Sequence, residues 1–354
     1  MVSNSEASML NYCELVSDMN GLKYKTSVPY EKNSTTKSYK DVIDSPTYPK
    51  FRVASNTDGR TLESWIMSDS VNFGLIGRYL TEYELAHANS VQGTITSSLM
   101  MDIGGNHGTY AFYGATLNQS VHVFEILPVY WAVIKETIRI NENLGKKITL
   151  HQCGIGDKRG VWKVLPQEGL TRLDFLPDAM VKEHFYSNPN ELPSVVSKHN
   201  FPVVPVYPLD DFVFRKVSLI KIDVEGFEIR VLKGADRAIA VFGVGALLVE
   251  IASNRWSWSN ITIDEGISVL EHVTLAGNYS SYIIARNEPS CPASKISKVN
   301  SLIHVKNVLM MNMKNGRVEP APEIYKIIEW EPIMKLMKTN DWSCNFWLEK
   351  EFWT

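Results

Sequence analysis

The stretch Asp102-Ile103-Gly104-Gly105-Asn106-His107-Gly108 constrains this chain more than any other, because an acid followed at once by three glycines in five residues suits few backbone settings. Residues 99–101 before it are apolar and read as the end of a buried strand, and residues 109–115 after it read as a helix. Glycine admits positive φ and a close backbone approach, and the free N–H groups at a helix start favour an electron-rich ligand. The turn alone leaves two readings open: a nucleotide-like cofactor site, or a tight strand-to-helix turn without a ligand.

The rest of the chain narrows the choice. Its 354 residues suffice for one main α/β core with additions at both ends. A formal net charge of −3 argues against a general affinity for nucleic acid, and no apolar run approaches the ~20 residues of a membrane span. Residues 1–21 lack the basic start and apolar stretch of a secretory signal. Cys13, Cys153, Cys291 and Cys344 are far apart and form no Cys-x-x-Cys pair, so neither a zinc knuckle nor a disulfide framework is indicated, and a reducing cytosol is the expected compartment.

Read in order, residues 1–69 form a polar N-terminal arm or lid whose end leads into a helical pattern over 70–89. After the glycine turn, residues 121–125 form a second strand closing on Glu125, 23 residues beyond Asp102. In doubly wound folds an acid there accepts hydrogen bonds from a ribose diol, although a solvated acid at a strand end has the same appearance. Residues 148–152 form a third strand, followed by a turn with Gly156 and Asp157 that suits either an adenine edge or nothing in particular. Residues 161–208, rich in Pro and Asn, look like an insertion on the substrate side.

The second anchor is Ile220-Lys221-Ile222-Asp223-Val224-Glu225-Gly226. Strand alternation puts Lys221, Asp223 and Glu225 on one face, and charges at the carboxyl end of a buried strand are paired, functional or both. A fifth strand over 243–251 carries Glu250, and the loop after it supplies Asn254, Arg255, Trp256 and Trp258 to what should be the same rim. Final strands are expected over 282–285 and 308–313, with the main domain spanning 70–315 and a Trp-rich C-terminal extension over 316–354. The βα alternation predicts a mainly parallel sheet.

Together, the 102–108 turn, Phe124-Glu125, Leu209-Asp210-Asp211-Phe212, and Lys221-Ile222-Asp223-Val224-Glu225-Gly226-Phe227-Glu228 with Leu232-Lys233-Gly234-Ala235 resemble the FkbM-type S-adenosylmethionine-dependent methyltransferases. The likeness covers roughly residues 70–255. Gly105 is a departure, since the family usually has alanine there. The resemblance implies a Rossmann-like class I methyltransferase fold, α/β with a mainly parallel seven-stranded sheet and helices on both faces. It also implies S-adenosyl-L-methionine as cofactor and a hydroxyl on a sugar, glycan or related metabolite as acceptor. On that basis Asp102, Gly104, Gly105, Asn106 and Gly108 would hold the methionine end of the cofactor. Glu125 and Ile126 would lie at its ribose, and Gly156 and Asp157 at its adenine.

Methyl transfer from a sulfonium is a displacement with a good leaving group, so alignment dominates, and an alcohol nucleophile must also lose a proton. Asp223 is the first candidate for base or orienting residue, followed by Glu225 and Glu250, while Lys221 would tune their charge. Asn254, Arg255, Trp256 and Trp258 are the candidate acceptor contacts. No metal is assigned, although the three carboxylates together would suit Mg²⁺. A nicotinamide-dependent oxidoreductase is disfavoured because the turn reads G-G-x-x-G rather than G-x-G-x-x-G, and a non-catalytic binder with the same fold stays as the alternative of a different class.

Overall fold

The computed structural model describes residues 40–90, 98–167, 170–175, 203–285, 290–305, 309–320 and 323–350. Its centre is a nine-stranded sheet. The strands are β1 (Leu99–Ile103), β2 (Ser120–Phe124), β3 (Ile148–His151), β4 (Val217–Ile222), β5 (Val244–Ile251), β6 (Tyr279–Ile284), β7 (Leu302–His304), β8 (Ile324–Ile327) and β9 (Cys344–Lys350). Their order is β7-β8-β6-β9-β5-β4-β1-β2-β3. From β3 to β5 all neighbours are parallel. Beyond β5 every pairing is antiparallel. The parallel half runs 3-2-1-4-5, so the strand order reverses between β1 and β4, and the crevice outside their carboxyl ends is where such sheets bind ligands.

The parallel strands are near-continuous apolar runs because both of their faces are covered. Met101, Ile103, Ile220, Ile222, Leu247 and Val249 face one core, with residues of helices α5 (Glu228–Lys233), α6 (Ile263–Gly277) and α7 (Trp330–Asn340). Met100, Leu219, Ala246 and Leu248 face the other. That side is covered by α1 (Gly59–Ser68), α2 (Ser70–Ser90), α3 (Thr109–Thr116) and α4 (Pro128–Ile140). Period-two alternation thus sorts each strand between two helix layers. Among the described residues no helix is long and apolar enough to cross a membrane.

The structure redraws the expected boundaries. The described residues of the 316–354 segment are no appendage: they supply β8, α7 and β9, and β9 lies inside the sheet between β5 and β6. The Trp-rich composition reflects burial there, with Phe346, Trp347 and Leu348 almost fully enclosed. Residues 309–311, expected as a final strand, pair instead with 318–320 in a separate hairpin. The described part of the N-terminal arm is also integral, because Phe51, Val53, Leu62 and Ile66 join the α2/α3 core. Four short strands around the insertion, Gly154–Ile155, Gly160–Gln167, Leu170–Phe175 and Val203–Tyr207, make a second small sheet, and 176–202 lie outside the described residues.

Cysteine usage needs the same correction. Cys291 and Cys344, both 1% exposed, form a disulfide across 53 residues of sequence. Their spacing hides it, because only the antiparallel insertion of β9 brings position 344 beside the segment after β6. The absence of a disulfide was the ground for expecting a reducing compartment, and that ground is removed.

Candidate active site

The first wall of the site is the glycine turn. Gly104 has φ +80, and a Cβ there would collide with the carbonyl oxygen of Asp223, so the turn packs backbone to backbone on the loop after β4. Gly108, φ +78, begins α3 with no side-chain capping hydrogen bond, which leaves N–H groups of the first helical turn facing outward. Gly104 and Gly105 donate to the Phe124 carbonyl at 2.9 and 3.1 Å, tying the turn to the end of β2.

Immediately beyond that end, the Glu125 carboxylate accepts from the backbone N–H groups of Asn106 (2.7 Å), Ile126 (2.7 Å) and Leu127 (2.8 Å). Those bonds orient the carboxylate. Burial pushes its pKa up, while the three N–H donors pull it down. His107 in the turn is enclosed, bonds Asn56 at 2.8 Å, and stays neutral because burial lowers its pKa to about 4.

The second wall is built around Lys221. It is the register partner of Asp102 across the β4–β1 pairing, and both side chains are buried. Its ammonium donates to the Gly104 carbonyl at 2.8 Å and stands 3.5 Å from Asp102 and 3.4 Å from Asp223. Burial works against its charge, yet Asp223 and Asp102 outweigh that and hold its pKa above the usual lysine value. The ammonium also lies 5.2 Å from the ring centre of Tyr110, whose hydroxyl donates to Asp69 at 2.9 Å. Both carboxylate oxygens of Asp102 are buried without a hydrogen-bond partner, so this acid has acceptor capacity left over.

The glycine turn, Glu125 and the lysine-bridged acids therefore meet at the switch point of the sheet. Residues 102–272 match the family described as Methyltransferase FkbM domain. Over this stretch the chain is similar to FkbM-type methyltransferases. A relative, Methyltransferase 1 of Beauveria bassiana (strain ARSEF 2860), is 26% identical over 157 residues, which are 39% of this chain and 59% of that protein. Among solved structures, methyltransferase FkbM from Methylobacillus flagellatus KT is similar over 65% of this chain and 43% of its own, with 17% identity and a TM-score of 0.35. Phosphoethanolamine N-methyltransferase 2 of Haemonchus contortus, solved with S-adenosyl-L-methionine, gives 76% and 52%, 11% identity and a TM-score of 0.32.

Within the matched stretch the expected acceptor-side residues divide. Asp223 is partly open, with its side chain 34% exposed and its amide donating to the Ile103 carbonyl at 3.0 Å. Glu225 sits at φ +55, an uncommon setting for a side-chain-bearing residue, and forms an ion pair with Arg255, which in turn lies over the ring of Trp258. Glu250 accepts from the Ser343 hydroxyl, and burial, with Asp223 beside it, pushes its pKa up to about 8. Asn254 bonds Asp341. Asn254, Arg255 and Trp258 keep some exposure, as acceptor contacts require.

Trp256 does not belong with them. It is 1% exposed, packs on Gly266, and donates to the buried Glu228 at 3.3 Å, so it is a core residue. On the expected adenine side, Asp157 is held by Arg230 at 2.8 Å through one carboxylate oxygen, and the Gly156 carbonyl packs against Gly234 at the far end of α5. Tyr110, Asp69 and Ser343 were missed in the sequence. Tyr110 begins a helix with nothing to mark it, and the other two lie outside the 102–272 match, so no local motif points to them. Among the described residues, no group of three or more His, Cys, Asp or Glu is arranged to hold a metal ion.

Proposed function

We propose that the protein is an S-adenosylmethionine-dependent O-methyltransferase acting on a hydroxyl of a sugar, glycan or related small metabolite. The observation that carries this reading is the packing of the Asp223 backbone carbonyl against Gly104, which brings this partly exposed acid beside the glycine turn at the switch point. The residues present fit the cofactor. Asp102 has buried acceptor oxygens without a hydrogen-bond partner, the first turn of α3 has no side-chain cap, and the Oε2 of Glu125 accepts from Asn106 with a lone pair left for a diol.

When bound, S-adenosylmethionine supplies an electrophilic methyl group on a sulfonium. Asp102 and the turn would hold its charged amino-acid end, and Glu125 its ribose. Asp223 would accept a hydrogen bond from the acceptor hydroxyl and take its proton as transfer proceeds. Lys221, 3.4 Å away, would hold and aim the Asp223 carboxylate. The acid-rich rim of Asp223, Glu225 and Glu250 suits a polyhydroxylated acceptor, because carboxyl oxygens accept hydrogen bonds from hydroxyls.

Incubation with methyl-tritiated S-adenosylmethionine and a panel of sugars and glycosides tests this. The expected result is label in an acid-stable ether of one acceptor class, with Asp223→Asn lowering the rate by about 10²–10⁴-fold. Label transferred only to amines, or an unchanged rate in Asp223→Asn, would contradict it.

A further inference from the structure

We propose that Ser343 is a positioning residue for Glu250, so that the acceptor side of the site is completed by a segment outside the 102–272 domain. The proposal rests on the reading of Glu250 as an acceptor-side acid. The Ser343 hydroxyl donates to Glu250 Oε1 at 2.5 Å. Geometry makes the contact a consequence of the sheet: Glu250 and Ile251 end β5, β9 pairs beside them with Ile251 opposite Cys344, and residue 343 is therefore delivered to the rim.

Ser343 is held on both sides. Before it, Trp342 is 4% exposed and donates its amide to the Met337 carbonyl at 3.0 Å, with the Lys295 ammonium over its ring. After it, Cys344 is covalently joined to Cys291. Between these, the Ser343 amide donates to the Ser290 carbonyl at 3.1 Å. A serine restrained by a buried ring, a backbone bond and an adjacent disulfide has little freedom, so its hydroxyl is preorganised toward the carboxylate. The same turn also reaches the acceptor loop, since Asp341 receives a hydrogen bond from Asn254.

The setting explains why such a donor is needed. Asp223 and Glu225 from the loop after β4, and Asp69 from the α1–α2 junction, all bear on Glu250 with like charge. Lys221 is the cation of the group and Arg255 neutralises Glu225. Burial and these acids favour the protonated form of Glu250, and the hydroxyl bond opposes them by stabilising the ionised form. Ser343 thus fixes one carboxylate oxygen and leaves the other for the acceptor.

Carbon NMR of the full chain labelled at glutamate Cδ, with the Glu250 signal assigned by its loss in Glu250→Gln, reads this without any acceptor. Ser343→Ala should raise the midpoint of the Glu250 titration by about one pH unit, a tenfold change in its ionisation, and Ser343→Thr should restore it. Ser343→Cys, of similar shape with a weaker donor, should fall between and serves if the alanine variant does not fold. S-adenosylhomocysteine binding, measured in parallel, should stay within twofold. An unmoved Glu250 midpoint in Ser343→Ala or Ser343→Cys would overturn the proposal. Loss of S-adenosylhomocysteine binding by the unmutated chain would instead overturn the methyltransferase reading beneath it.

Discussion

At Lys221 one ammonium serves the Gly104 carbonyl, Asp102 and Asp223 at once, and each partner is a different part of the site. Removing a buried cation leaves its acids uncompensated, so Lys221→Met should destabilise the chain by roughly 3–5 kcal/mol in urea unfolding and weaken cofactor binding with it. Glu250 offers a pH test. Its pKa rises on folding from the ordinary 4.5 to about 8, so the native state keeps its proton longer than the unfolded chain. This contribution to stability is complete below about pH 4.5 and lost as pH climbs through 8. In Glu250→Gln, urea midpoints across that range should fall less steeply with pH than in the unmutated chain, and parallel slopes would contradict the burial account. Residues of this kind differ in how far sequence reveals them. Asp102, Gly104, Glu125 and Asp223 are legible because their neighbours in the chain are also their neighbours in the site. Ser343, Asp69 and Tyr110 are not, because tertiary packing alone brings them there. Trp256 misleads for a related reason: an aromatic in a polar loop looks available until the fold turns it under Glu228.

Among the elements, β1, β2, β4 and β5 announce themselves as short apolar runs ending in an acid or a glycine turn, and the structure pairs all four in parallel, as expected. The strand β9 does not. Its run Asn345-Phe346-Trp347-Leu348 lies far from the motifs, and nothing local tells an antiparallel strand at the middle of a sheet from a Trp-rich tail. Its place makes a strong prediction. Trp347 is 1% exposed and its ring meets Tyr79 of α2 at 5.6 Å between centroids. Trp347→Ala should therefore cost about 3–5 kcal/mol by urea unfolding, far beyond what a peripheral extension would show. A cost within ~0.5 kcal/mol, the range of surface changes, would mean that β9 is not part of the core.

For the whole molecule, the two helix layers and the reversal of strand order between β1 and β4 create one crevice, and the chain fills its margins from both ends. Asp69 comes from before the matched stretch 102–272 and Ser343 from after it, while the glycine turn and Glu125 lie inside it. Calorimetric titration with S-adenosylhomocysteine and, separately, with NAD⁺, repeated on Glu125→Ala, tests the central claim most directly. The account predicts saturable 1:1 binding of S-adenosylhomocysteine alone, lost when the carboxylate that faces the turn is removed. Binding of NAD⁺ in its place, or of neither compound by the folded chain, would contradict it.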